Sequence, residues 1–122
     1  MRVKDAVGRF GEDVAARHLE AAGLAILARN WRCREGEIDV VARDGSVLVF
    51  VEVKTRSSLA YGPPGEAVHR AKSARIRQLG LRWIMAQREQ GGTEFWTALR
   101  FDVVTVVRAR AGVQVEHLAG AF

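Results

Sequence analysis

With a single cysteine, Cys33, the chain can form neither an internal disulfide nor a cysteine-based zinc site, and it suits a reducing cytoplasm. Its three histidines, His18, His69 and His117, are scattered without ligand spacing. No segment has the unbroken apolar length of a membrane span, and the N-terminus lacks the apolar core of a signal peptide. The expectation is a cytoplasmic protein with no membrane partner. Negative charge is also in short supply: 14 acidic residues face 19 Lys and Arg, giving a net charge of +5. The excess is mainly arginine, whose planar guanidinium suits bidentate contact with phosphate. A polyanion is therefore the first partner to infer, with solubility charge as the plain alternative. At 122 residues, 1–122 should form one domain, burying roughly two thirds of the surface an unfolded chain exposes.

What the sequence does have is two β-rich runs, Glu37 to Arg43 and Ser46 to Lys54, broken by Asp44-Gly45. That dipeptide is a strong signal for a two-residue hairpin turn. With those two residues as the loop, Arg43 pairs with Ser46, Val41 with Leu48, Asp39 with Phe50 and Glu37 with Glu52. One face then carries Ile38, Val40, Ala42, Val47, Val49, Val51 and Val53, an apolar surface that must be covered. The other carries Val41, Leu48 and Phe50 near the turn, then Glu37, Asp39, Glu52 and Lys54 at the open end. Asp39 and Glu52 become diagonal neighbours, about 7–8 Å apart. One lysine cannot balance three acids, so a cation such as Mg²⁺, which takes carboxylate oxygens, waters and phosphates, would complete the group. The alternative is a solvated hairpin end neutralised by Lys54.

The remaining chain frames this hairpin. Residues 5–22 read as an alanine-rich helix ended by Gly23, with Glu12 on the face of Ala15, Ala16 and Leu19. Glu12 could simply complement the helix dipole. Leu24 to Trp31 reads as a strand, after which Arg29, Arg32 and Arg34 crowd around Trp31, a grouping that suits backbone phosphate contacts. The other reading makes Trp31 core and the arginines a solvated turn. Thr55 to Gly65, with Pro63-Pro64, has loop composition and leaves directly from the acidic end. A helix follows from about Glu66 to Gln90, with Gly80 marking a close contact with the sheet. Arg70, Lys72 and Arg75 near its start are the choice for phosphate contact. Two strands, Leu99 to Val107 and Val113 to Leu118, complete the chain. Asp102 early in the first of them could be an outer-shell acid or a structural partner for an arginine, and the structural role is the favoured one. The order predicts an α/β sandwich with a central mixed sheet of about five strands flanked by helices.

Asp39 followed thirteen residues later by Glu52-Val53-Lys54 resembles the PD-(D/E)xK nuclease signature, with Ile38 where that signature has proline. The longer strings Arg29 to Asp39 and Val49 to Arg56 are similar to the YraN-like bacterial proteins, predicted endonucleases related to the archaeal Holliday-junction resolvases. The likeness runs from Gly11-Glu12 to Phe101-Asp102. It implies the restriction-endonuclease-like fold and metal-dependent cleavage of DNA, with structured or branched DNA as substrate. Asp39, Glu52 and the Val53 carbonyl would hold Mg²⁺ or Mn²⁺. Lys54 would act on the attacking water, and Glu12 would complete the catalytic group. Arg56, closing the motif, joins the arginines as a nucleic-acid contact. A two-fold homodimer is also implied, for which Phe95-Trp96 and Phe122 offer interface material. The rival expectations are a nucleic-acid-binding module that cleaves nothing and, more remotely, an interaction subunit for an acidic partner.

Overall fold

The structure, a computed structural model, describes residues 3–56 and 70–122, and the side chains of residues 6–56 and 73–122. Helix α1 (Val3–Ala21) leads into strands β1 (Ala25–Cys33), β2 (Gly36–Asp44) and β3 (Val47–Arg56). Helix α2 (Arg70–Glu89) precedes β4 (Ala98–Ala109) and β5 (Gly112–Leu118). This is the expected order, and the strands form one mixed sheet in the order β1-β2-β3-β4-β5. The β3–β4 pair is parallel and the other neighbours are antiparallel.

Strand alternation sends the sheet's two faces to different helices. Val40, Ala42, Val49, Val51, Val104 and Val106 pack with Ala15 and Leu19 of α1. Val41, Leu48, Phe50 and Phe101 pack with Ile76, Leu79 and Trp83 of α2. Phe50 stacks on Phe101 at 5.5 Å and meets Trp83 edge-on at 6.0 Å. Both helices approach closely because glycine faces the sheet. A Cβ on Gly80 would lie 2.8 Å from the Phe50 ring, and one on Gly11 would collide with Thr55 Oγ1. Each helix ends in the same way. Gly23 and Gly91 take positive φ, so that Leu24 N–H donates to the Leu19 carbonyl and Gly92 N–H to that of Gln87.

Asp102 has the structural role expected of it. Fully buried, it accepts hydrogen bonds from Arg100 Nε at 3.0 Å, His117 Nε2 at 2.7 Å and the Gly120 amide at 2.9 Å. Those bonds tie β4, β5 and the C-terminal residues together.

The hairpin register differs from the sequence reading. Asp44 pairs with Val47, Arg43 with Leu48 and Val41 with Phe50, so the loop is Gly45-Ser46. Gly45 has φ +61° while Asp44 and Ser46 stay at negative φ, the requirement of a turn with glycine at its first central position. The Ser46 carbonyl also accepts the Thr97 amide at 3.0 Å, which anchors the turn to the residues before β4. The displacement changes each partner by two residues, so the faces survive it for most of the hairpin. Ile38 is the exception, packing with the α2 cluster and not with Val40 and Ala42.

Candidate functional site

The reason for the Ile38 switch is a fork. Antiparallel pairing between β2 and β3 ends at Val40 and Val51, yet β2 reaches back to Gly36 and β3 runs on to Arg56. Beyond that point β2 pairs with β1 and β3 with β4. Across from the fork, Asn30 of β1 takes φ +53°, the one left-handed residue other than glycine among the described residues. Asparagine tolerates that region better than most side chains. Trp31 pairs with Ile38 and Arg29 with Val40, so Asn30 lies level with Asp39 along the strands.

Asp39 fills the opening. Its Oδ2 accepts the Val53 amide at 2.8 Å, replacing the ladder bond that β2 no longer supplies. Oδ1 has no hydrogen-bond partner among the described residues. In an extended strand a residue's carbonyl points to the same side as its amide, so the Val53 carbonyl also faces the fork. Asp39 and Glu52 are the residues that follow the last pair, Val40 with Val51, so they flank the opening from its two strands and are not the diagonal neighbours expected from the sequence.

Burial raises the Asp39 carboxyl from the ordinary 3.8 to about 6. The Val53 hydrogen bond opposes the rise, while the charges of Glu12, Glu37 and Glu52 add to it. Glu12 on α1 thus acts on the same point as the strand acids, because Gly11 seats that turn of the helix against Thr55. Among the described residues, no three Asp, Glu, His or Cys side chains meet as a preformed cage. The donors present are a half-buried carboxylate with a free oxygen, a neighbouring half-buried Glu52 and a main-chain carbonyl. They fit Mg²⁺ or Mn²⁺, hard cations satisfied by one or two carboxylates plus water and phosphate oxygens. They do not suit a soft ion.

A cleft of about 210 Å³ opens on this group from the α2 side, lined by Glu37, Ile38, Asp39, Val51, Glu52, Arg75, Ile76 and Leu79. Lys54, half-buried, lies two residues beyond Glu52 on β3. A second cleft of similar size lies at the other end of α2, between Trp83, Ile84 and Trp96. Its carboxylate, Glu94, is already paired with Arg43 at 3.5 Å, so it lacks the crowded acids of the fork.

The basic candidates divide. Arg75 borders the acidic cleft. Arg29 is held by Asp13 at 2.6 Å and Arg32 by Glu37 at 3.2 Å, while Arg34 is exposed and Arg56 half-buried. Trp31 packs against the α2 cluster, in line with the core reading of that residue. The side chains of Arg70 and Lys72, and the loop expected over 57–65, lie outside the described residues. Sequence reasoning missed Asn30, whose one signal was an asparagine, the residue type that best tolerates a left-handed backbone, inside a predicted strand. It also missed how Gly36 shapes the cleft, since a Cβ there would lie 3.2 Å from Arg75 Nη2.

A model of the family described as "Uncharacterised protein family UPF0102" matches residues 11–106, the segment from the Gly11 contact through β4. A UPF0102 protein of Beutenbergia cavernae is 60% identical over 121 residues, covering 98% of each chain. Another from Frankia alni is 58% identical over all of this chain and 98% of its own length. A third, from Acidothermus cellulolyticus, is 49% identical over 98% of this chain and 95% of its own.

Proposed function

The chain belongs to the UPF0102 family, the YraN-like group its sequence resembles, and from that premise and its own geometry we propose a metal-dependent endonuclease acting on DNA. The observation that carries this reading is the fork. A strand pair opens, a half-buried carboxylate takes the vacated amide, and burial, with the charges of three further acids adding to it, raises its pKa to about 6 where a cation would relieve it. Asp39, Glu52 and the Val53 carbonyl would hold Mg²⁺ or Mn²⁺, which when bound would polarise the phosphate and lower the pKa of the attacking water. Water adds to phosphorus and the bond to the 3′ oxygen breaks. That oxygen takes a proton and leaves as a hydroxyl, with the phosphate staying on the 5′ side. Lys54 orients the water or offsets the charge that develops on the phosphate. Glu12, whose charge reaches Asp39, would complete the outer shell of the ion or help hold a second one. The relation to PD-(D/E)xK nucleases and to the restriction-endonuclease-like sandwich is part of the same proposal. So is a homodimer that would present two forks to a branched substrate.

The second reading is a nucleic-acid-binding module without cleavage, favoured by the lack of a preformed three-ligand cage among the described residues. Incubating supercoiled, linear and four-way-junction DNA with Mg²⁺ or Mn²⁺ separates the two. The nuclease reading expects metal-dependent cuts, most efficient on the junction. Binding with no cut in any of the three DNAs leaves the module.

A further inference from the structure

Among the arginines whose side chains are described, Arg75 is the one that borders the acidic cleft. Carboxylates engage Arg29, Arg32, Arg43, Arg82 and Arg100. Arg75 borders a cleft that includes Glu37, Asp39 and Glu52, yet among the described residues it has no ion-pair or hydrogen-bond partner. Its guanidinium is exposed at the mouth, beside the space that Gly36 leaves by lacking a Cβ. Leu79 borders the same space, with a methyl 3.5 Å from where that Cβ would be, so bulk at Gly36 would crowd both side chains. The backbone at Gly36, φ +151°, is also one that side-chain-bearing residues rarely adopt. An unengaged planar cation beside a carboxylate group that calls for a metal ion has one evident use. A phosphate drawn to an ion held by those carboxylates would leave its remaining oxygens to the guanidinium.

We propose that Arg75 grips the scissile phosphate itself, which makes it a catalytic residue beside Asp39, Glu52 and Lys54 and not one of several backbone contacts spread along the DNA. The assignment rests on reading the fork as a nuclease site. Five N–H donors in a fixed fan let a guanidinium hold two phosphate oxygens at once, a geometry lysine cannot copy. As phosphorus gains a fifth oxygen, negative charge builds on those oxygens, and the fixed donor stabilises it most at that moment.

The test uses two oligonucleotides of one sequence, one with a 5′-phosphate and one with a 5′-hydroxyl, bound in Ca²⁺ to mimic the product. The wild type should prefer the phosphorylated strand, roughly tenfold. Arg75→Gln should lose that preference while keeping its affinity for the 5′-hydroxyl strand and for Mn²⁺, and Arg75→Lys should recover only part of it. In single-turnover cleavage at saturating DNA, Arg75→Gln should slow the cut roughly a hundredfold, the usual effect of losing one fixed donor at a developing anion. Equal weakening toward both strands would make Arg75 a remote backbone contact and overturn the assignment, as would a preference that survives in the glutamine variant. A wild type that binds Mn²⁺ at the fork but shows no phosphate preference also refutes the role of Arg75. A wild type that neither binds Mn²⁺ nor cleaves removes the nuclease reading first, and the assignment with it.

Discussion

At the scale of single residues, Asp39 decides most. Its carboxyl is raised to about 6 chiefly by burial, and the unfolded chain has no such burden. Between about pH 4 and pH 6 the unfolded state therefore releases a proton that the folded state keeps. Folding takes up a proton in that window, so stability falls as pH rises through it. A shift of about two units corresponds to about 2–3 kcal/mol. Asp39→Asn keeps an oxygen for the Val53 amide but cannot ionise. Urea unfolding without divalent ions should find the variant near wild-type stability at pH 4 and about 2–3 kcal/mol more stable at pH 7. A constant difference across the range would show that Asp39 is not the strained acid. The residue's importance was legible from its place in Asp39…Glu52-Val53-Lys54. Its bond to Val53 was not, because it depends on where two strands stop pairing.

Among the elements, the sequence pattern shows how far local rules reach. Alternation in β2 and β3 identified, Ile38 apart, which residues share a face, and a two-residue loop was correctly expected. The loop's position was not, because Asp44-Gly45 and Gly45-Ser46 both make acceptable tight turns, and the tertiary contact of Ser46 with Thr97 lies outside any local signal. The Ile38 face was misread for a related reason: alternation holds only while a strand stays regular, and β2 does not beyond Val40. The small residues Ala15 and Ala16 suit a close helix, but Gly11 is where α1 meets β3 most tightly, against Thr55. Two glycines of α1 make opposite predictions from this. Gly11→Ala should cost about 1–3 kcal/mol by forcing α1 away from Thr55. It should lower cleavage as well, since Glu12 moves with it. Gly8→Ala, with nothing within 4 Å of its added Cβ, should stabilise by about 0.5–1 kcal/mol and leave activity unchanged. Denaturation midpoints and cleavage rates of both variants check the pair. Equal effects would dissolve the link between Gly11 and the site.

For the whole molecule, an open sheet with a helix on each face leaves one fork in each chain, whereas resolving a branched junction symmetrically takes two cuts. Of the three aromatics that suggested an interface, Trp96 packs against the α2 cluster with Arg43 over its ring, and Phe122 is held by Phe101 and Arg77. Phe95 is 82% exposed and is the one left to offer a partner. The proposed homodimer should appear in light scattering as a mass twice that of the chain, at micromolar protein and with junction DNA present. A strict monomer under both conditions would remove the junction-resolving form and leave a nuclease that nicks one strand at a time.

The central claim is that the opening between β2 and β3 is a metal-dependent cutting site, and the most direct measurement pairs metal binding with cleavage in one variant. Calorimetric titration of Mn²⁺ into the wild type and into Asp39→Ala, followed by junction cleavage with the same preparations, supplies it. The account predicts that the wild type binds Mn²⁺ and cuts, while Asp39→Ala binds at least tenfold more weakly, does not cut and remains folded. Full Mn²⁺ affinity together with retained cleavage in Asp39→Ala would contradict it.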